Sequence, residues 1–315
     1  MSKPWKDRPP LHTGRFAHDV ATTGGQIYVI GGVAVTGFLG SVETRRVHGD
    51  GEWHDVAPMH TPRGNHAVGV LDGMIYAIGG IVQGEPDDQG TAVVERYDPD
   101  DDQWTTCRPL PAARGATSAA SLDGVLYVAG GVLDKDNPDD NEHATDSVLA
   151  FDPQADRWTP VASMLSPRAR HRLVAAGGHL YAIGGALSRI QEAYRTVERY
   201  SPNSDRWEAV RSMHQPRGVP AATVLTNGPE TRIVVVGGGP GPASDRLARH
   251  RTTEVFDVHS GKWELLSTLL PHGTAAFGCA RESGNKVLAI GGSPVIDGAP
   301  TITSDVLALK VPHTG

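Results

Sequence analysis

The chain has 315 residues, 38 of them glycine and 23 proline, with 6% aromatics and a formal net charge of −7. A single ordinary core stops growing near roughly 250–300 residues, so this length means two ordinary domains or a repeat architecture. The acidic balance weighs against general nucleic-acid binding, no polar tract suggests disorder, and no run approaches the roughly 18 apolar residues of a spanning helix.

The first segment, MSKPWKDRPPL (1–11), lacks the apolar stretch of a secretory signal, so a soluble, cytoplasmic protein is expected. Trp5 stands ten residues before Arg15, which opens an Arg-x-x-His pattern with His18. A short apolar strand follows, IYVIGG (27–32), then a loop (34–41), a strand VETRRV (42–47), a polar turn and Trp53. The same order returns with Arg63, His66, IYAIGG (75–80), a loop (82–92), VVERYD (93–98) and Trp104. Next come Arg114, LYVAGG (126–131), a loop (133–145), SVLAFD (147–152) and Trp158. Arg168, His171, LYAIGG (180–185), a loop (186–195), TVERYS (196–201) and Trp207 form a fourth copy. Arg217, IVVVGG (233–238), a loop (239–252), TEVFDV (253–258) and Trp263 form a fifth. The sixth has LAIGG (288–292), a loop (293–304) and DVLALK (305–310), with His272 read at the arginine position and no later tryptophan.

The first glycines, at 31, 79, 130, 184, 237 and 291, are 48 to 54 residues apart. A period near roughly 50 residues, with four short strands and turn chemistry between them, is that of a propeller blade. The pattern of Arg, Tyr-x-x-Gly-Gly, Glu-Arg-Tyr-Asp and Trp resembles the Kelch repeat across essentially the whole chain. Val234 and Leu288 replace the tyrosine in the last two copies. The resemblance implies an all-β, six-bladed Kelch-type β-propeller occupying 1–315 as a single domain. Because Trp5 precedes Arg15 by the spacing that separates Trp53 from Arg63, the N-terminal segment is expected to supply the outer strand of the last blade.

Numbering the strands a to d from the channel outward, the d-to-a and b-to-c connections share one face. The b-to-c loops are the unequal ones, and irregular loops on a rigid scaffold are where binding residues concentrate. At that face Arg15, Arg63, Arg114, Arg168 and Arg217 are candidate substrate-binding residues, since a forked guanidinium suits carboxylate or phosphate. Pairing with an acid or carbonyl of the neighbouring blade is the other reading, and Glu95, Glu198 and Glu254, which recur at one strand position, are expected to hold the blades through ion pairs or hydrogen bonds. His18, His66 and His171 are candidate catalytic acid–base groups, with Thr117, Pro220 and Ala275 at the corresponding places; against this, histidine is common at this point of the Kelch repeat and the three blades are not all adjacent. Glu142-x-x-x-Asp146, within the acid-rich run Asp134, Asp136, Asp139, Asp140, Glu142 and Asp146, partly resembles the iron motif of plant nitrile-specifier Kelch proteins. Ala150 replaces the third ligand, so a solvated loop and no metal is expected. Arg246, Arg249, His250 and Arg251, beside Arg189 and Arg195, form a contrasting basic stretch. No copper–radical arrangement like that of galactose oxidase, no phosphate-binding loop and no zinc-protease motif is visible. Cys107 and Cys279 make no sequence pair and are expected to be reduced core thiols.

Two functions fit. One is a cofactor-free isomerase, mutarotase or cyclase acting on an anionic or polar small molecule at the mouth, as in bacterial sialic acid mutarotases, which this chain resembles as a stand-alone Kelch ring; the loop composition suits a bacterial protein. The other is a binding scaffold that captures an acidic peptide or protein through the arginines, like animal Kelch adaptors. Neither nucleic acid nor membrane is expected as a partner.

Overall fold

The structure, a computed structural model, describes residues 5–48, 51–84, 88–133, 144–187, 193–240 and 248–312. Its core is six antiparallel four-stranded sheets. Blade one holds Asp19–Thr23, Gln26–Ile30, Val42–Arg46 and His54–Val56 as strands a to d. Blade two holds Ala67–Leu71, Met74–Ile78, Val94–Asp98 and Gln103–Thr106, and blade three Ser118–Leu122, Val125–Ala129, Val148–Asp152 and Arg157–Val161. Blade four holds Arg172–Ala176, His179–Ile183, Val197–Ser201 and Arg206–Val210. Blade five holds Ala221–Asn227, Glu230–Val236, Thr253–Asp257 and Lys262–Leu265. Blade six takes Gly278–Ser283, Lys286–Ile290 and Val306–Lys310 from one end of the chain and Trp5–Arg8 from the other, with Trp5 opposite Leu309 and Arg8 opposite Val306. The expected closure is therefore present, and Arg8 clamps it through a two-pronged bond to Glu282 at 2.6 and 2.8 Å.

Burial follows from strand position. A b strand is covered by a blade on each side, so it is apolar on both faces and Ile27, Val29 and Ile30 are fully buried. A d strand lies at the rim and alternates, as in Gln103–Thr106, where only Trp104 points inward. In five blades this indole reaches the preceding blade by donating to one of its carbonyls: Trp53 to Pro9 at 3.0 Å, Trp104 to Ala57 at 2.8 Å, Trp158 to Arg108 at 3.2 Å, Trp207 to Ala162 at 2.9 Å and Trp263 to Arg211 at 2.7 Å, whereas the buried Trp5 indole of blade six has no such partner among the described residues.

The Gly-Gly pair is dictated by this contact between blades. Gly31 and Gly32 have φ of +60° and +100°. A Cβ on them would fall 2.8 Å from the Arg63 carbonyl oxygen and 2.7 Å from that of Phe16. The amide of the second glycine donates to the next blade at the head of strand a. These bonds run from Gly32 to Arg63 (2.8 Å), Gly80 to Arg114 (2.8 Å), Gly131 to Arg168 (2.9 Å), Gly185 to Arg217 (2.9 Å) and Gly238 to Thr274 (2.9 Å). The last, from Gly292 to Arg15 at 2.8 Å, joins blade six to blade one.

This pattern corrects the register read for the sixth copy. Thr274, not His272, occupies the arginine place, and Phe277, not Ala275, the histidine place. Cys107 and Cys279 are both free and, though only part-buried, pack against apolar clusters between blades.

Candidate functional site

The five arginines sit at the head of strand a, but their guanidiniums turn into the blades. Arg15, Arg63, Arg168 and Arg217 expose nothing and Arg114 only 3%. Each donates to the first-glycine carbonyl of its own blade, over 2.6 to 3.1 Å. Four also meet a buried strand-c carboxylate. Arg15 reaches Glu43 at 2.5 Å and Arg217 reaches Glu254 at 3.0 Å, while Arg63 pairs with Glu95 and Arg168 with Glu198. The same carboxylates accept backbone amides, His60 at 2.8 Å and Thr61 at 3.1 Å in the case of Glu95. Burial lowers the pKa of these arginines and the carboxylates oppose it. Arg114 has Leu149 where the others have glutamate and bonds Ser147 instead, so burial alone pushes it down to about 10.

His18, His66 and His171 are 2 to 3% exposed. Their rings point between blades, with Cε1 under the first glycine of the preceding one, at Gly291, Gly31 and Gly130. His18 Nε2 accepts the Gly278 amide at 3.1 Å. Desolvation first, then nearby arginines, holds all three neutral, with His66 lowered to about 3. Their ring nitrogens do not converge on a metal. Among the described residues the one cluster with that geometry is His12, Glu43 and Asp55 at the rim of blade one, and its Glu43 already serves Arg15 and two amides.

The mouth itself is narrowed by backbone. At each d-to-a connection one residue adopts the left-handed conformation: Ala17, Asn65, Ala116, Arg170, Val219 and Ala276, with φ of 50 to 57°. Each amide donates to the corresponding carbonyl of the preceding blade, over 2.8 to 3.2 Å, from Asn65 to Ala17 round to Ala17 to Ala276. Six peptide groups thus make a closed hydrogen-bonded ring about the axis. Beneath it Arg172 of blade four crosses the channel to Asp19 of blade one at 2.9 Å. It also donates to the carbonyls of Pro220 and Phe277 at 2.9 and 3.3 Å, and Asp19 accepts the Val68 amide at 3.0 Å. The sequence reading missed this pair. Its signal was present: the position after each inner histidine or its substitute is Asp19, Ala67, Ser118, Arg172, Ala221 and Gly278, and opposite charges fall on blades that face one another across the ring.

Around the narrowed mouth lie the loops. Small ribbons such as Val33–Ala34 with Gly37–Phe38 root the b-to-c loops on the d-to-a segments, through bridges such as Phe16 to Val33 and Gly64 to Ile81, so both do share one face. Arg195 and Arg251 are exposed there on blades four and five. Asp134, Asp136, Asp139, Asp140, Glu142, Arg189 and Arg246 fall outside the described residues.

Comparison with known proteins agrees with this architecture. The family model described as the KLHDC2/KLHL20/DRC7 Kelch-repeats domain matches residues 65–292. Kelch-like protein 24 of Rattus norvegicus is 40% identical over 181 residues, 58% of this chain and 28% of that protein. Alpha-scruin of Limulus polyphemus is 32% identical over 95 residues, 30% of this chain and 10% of that protein. The chain therefore matches only a part of each of these much longer relatives. The solved structure of YjhT superposes with a TM-score of 0.78 at 18% identity, covering 95% of this chain and 96% of that one, and so shares the fold. With six registered repeats, the Gly-Gly junctions and a family match over most of its length, this chain belongs to the Kelch-repeat family of β-propellers.

Proposed function

We propose that this propeller is a binding module that captures an anionic peptide or protein on the face formed by its d-to-a and b-to-c connections. The observation that carries the reading is the commitment of the inner-strand charges to the frame. Arg15, Arg63, Arg168 and Arg217 are buried against glutamates, Arg114 is buried against Ser147, and His18, His66 and His171 are neutral between blades behind a closed backbone ring. A general acid or base must reach the proton it transfers; the arginines face blade interiors, and the histidines border only a space of about 30 Å³ at the axis, far below the volume of a substrate pocket. The described surface does retain exposed Arg195 and Arg251 beside the unequal loops.

The test presents a display library of acidic peptides to the protein. Enrichment of a sequence class that is lost in Arg195→Glu/Arg251→Glu, with the melting temperature unchanged, is the expected result. Equal enrichment by both proteins would overturn the reading. The rival, an isomerase, mutarotase or cyclase working through His18, His66 and His171, is favoured if those histidines can be replaced by threonine only at the expense of turnover on a sugar or carboxylate substrate, stability being retained.

A further inference from the structure

The channel offers a second site, independent of the loop face. Below the Asp19–Arg172 pair lies a cavity of about 320 Å³, at the lower bound of the roughly 300–1,000 Å³ usual for small-molecule pockets. The ion pair and the backbone ring narrow one end, where only about 30 Å³ remains among the ring residues. The other leads toward the a-to-b turns, where lining residues Thr22, Ser121, Ala175 and Thr223 are exposed or half-exposed. The cavity is thus a well, constricted toward the loops and wider on the opposite face.

Its walls are polar for a structural reason. Strand a is the inner edge strand of every blade, and only its outer edge is paired, with strand b. Its side chains alternate into the two neighbouring apolar clusters, as Ala119 and Ala120 do. What lines the well is therefore largely strand edge, with peptide groups that must be satisfied by water or ligand. At the floor, Arg172 has five N–H groups and makes three hydrogen bonds within the chain. Among the described residues Arg15, Arg63, Arg168, Arg217 and Arg172 each meet a carboxylate, Glu43, Glu95, Glu198, Glu254 and Asp19, whereas Arg114 meets Ser147.

We infer that the well binds a small polar molecule bearing an oxyanion, carboxylate or phosphate, which enters from the a-to-b face and places that group on the remaining N–H groups of Arg172. Substitution of Arg172 would loosen the tie among four blades, so the test blocks the well further out. Thr22→Trp and Thr223→Phe lie among its lining residues and outside the apolar clusters. Lactate, mandelate, benzoate and inorganic phosphate, with lactamide and benzamide as neutral controls, are titrated calorimetrically into the wild type and both variants, after melting curves establish that the variants are folded. The expected result is binding of at least one oxyanion, no binding of its neutral amide, and at least a tenfold loss in either folded variant. Carboxylate and phosphate arms identify the source. Failure of every oxyanion to bind the wild type, equal binding of the amides, or binding unaffected in both folded variants would overturn the inference. None of these outcomes bears on peptide capture at the loop face.

Discussion

Replacing His66 with threonine, the residue that stands at this place in blade three as Thr117, should flatten the loss of stability on the acid side. Burial between blades, reinforced by Arg63 and Arg172, lowers the His66 pKa to about 3, against about 6.5 in an unfolded chain. Between those values the unfolded state binds a proton that the folded state refuses. The stability associated with the neutral ring is therefore complete above pH 6.5 and is lost as pH falls toward the folded pKa. At pH 4.5, two units below the unfolded value, the loss comes to about 2.7 kcal/mol from this one group. Threonine does not titrate, and Thr117 shows that its hydroxyl can be accommodated there by donating to the Ala129 carbonyl at 2.9 Å. Urea unfolding of wild type and His66→Thr at pH 7.5 and 4.5 reads the effect as a difference of differences, which cancels the common titration of surface carboxylates. The variant should gain about 2–3 kcal/mol on the wild type between the two conditions. A gap that stays constant with pH would mean that His66 is not held neutral by the fold, and the account of all three inner histidines would fail with it.

Three further outcomes test the frame. Glu95→Leu should cost about 3–5 kcal/mol, because Arg63 is left buried and unpaired, whereas Arg63→Met/Glu95→Leu should cost less than Glu95→Leu alone; a double variant worse than the single one would refute the clamp. Leu149→Glu and Leu307→Glu place a carboxylate at the same strand-c position of blades three and six, opposite Arg114 in one and Thr274 in the other. Chemical denaturation should find the blade-six change worse by about 3 kcal/mol or more, and equal effects would show that Arg114 does not await a partner. Deleting residues 1–8 removes strand d of blade six and the Arg8–Glu282 bond; the expected loss of the cooperative thermal transition would be contradicted by a truncation that melts like the full chain.

The ring, its six copies and its N-terminal closure were legible because they depend on local, repeated chemistry. A glycine pair at a strand end, a tryptophan on a rim strand and an arginine at the head of an inner strand each answer the same steric demand in every blade. The direction of the side chains was not legible in that way. Whether Arg63 points into the channel or into its own blade depends on where Glu95 and the Gly79 carbonyl lie, which is set by pairing between strands far apart in sequence. The register error in blade six has the same origin. With no arginine to mark the head of the strand, His272 was the nearest basic residue, and only the bond from Gly238 to Thr274 reveals the two-residue offset. The backbone ring left no trace at all, since Ala17, Asn65, Ala116, Arg170, Val219 and Ala276 share a conformation but no side-chain chemistry.

The way the clamp is lost shows which residues belong to the frame. In blades one, two and five the carboxylate accepts the amide three positions before the arginine, from His12, His60 and His214, and in blade four that of Leu165. In blade six that position is Pro271, which has no amide hydrogen, and the carboxylate has become Leu307 and the arginine Thr274: acid, base and donor have gone together. Blade three has Pro111 and Leu149, so acid and donor have gone, but Arg114 stays. Removing one member of a buried set leaves the others unsatisfied, so intact sets and fully deleted sets are both explained by folding alone. Two features break the repeat. Arg114 persists without its acid, and Asp19 with Arg172 forms an ion pair across the channel that has no counterpart between the other facing blades among the described residues. Both lie toward the loop-face end of the channel, where the repeats depart from one another, and it is there, together with the unequal loops, that activity particular to this chain has room to reside.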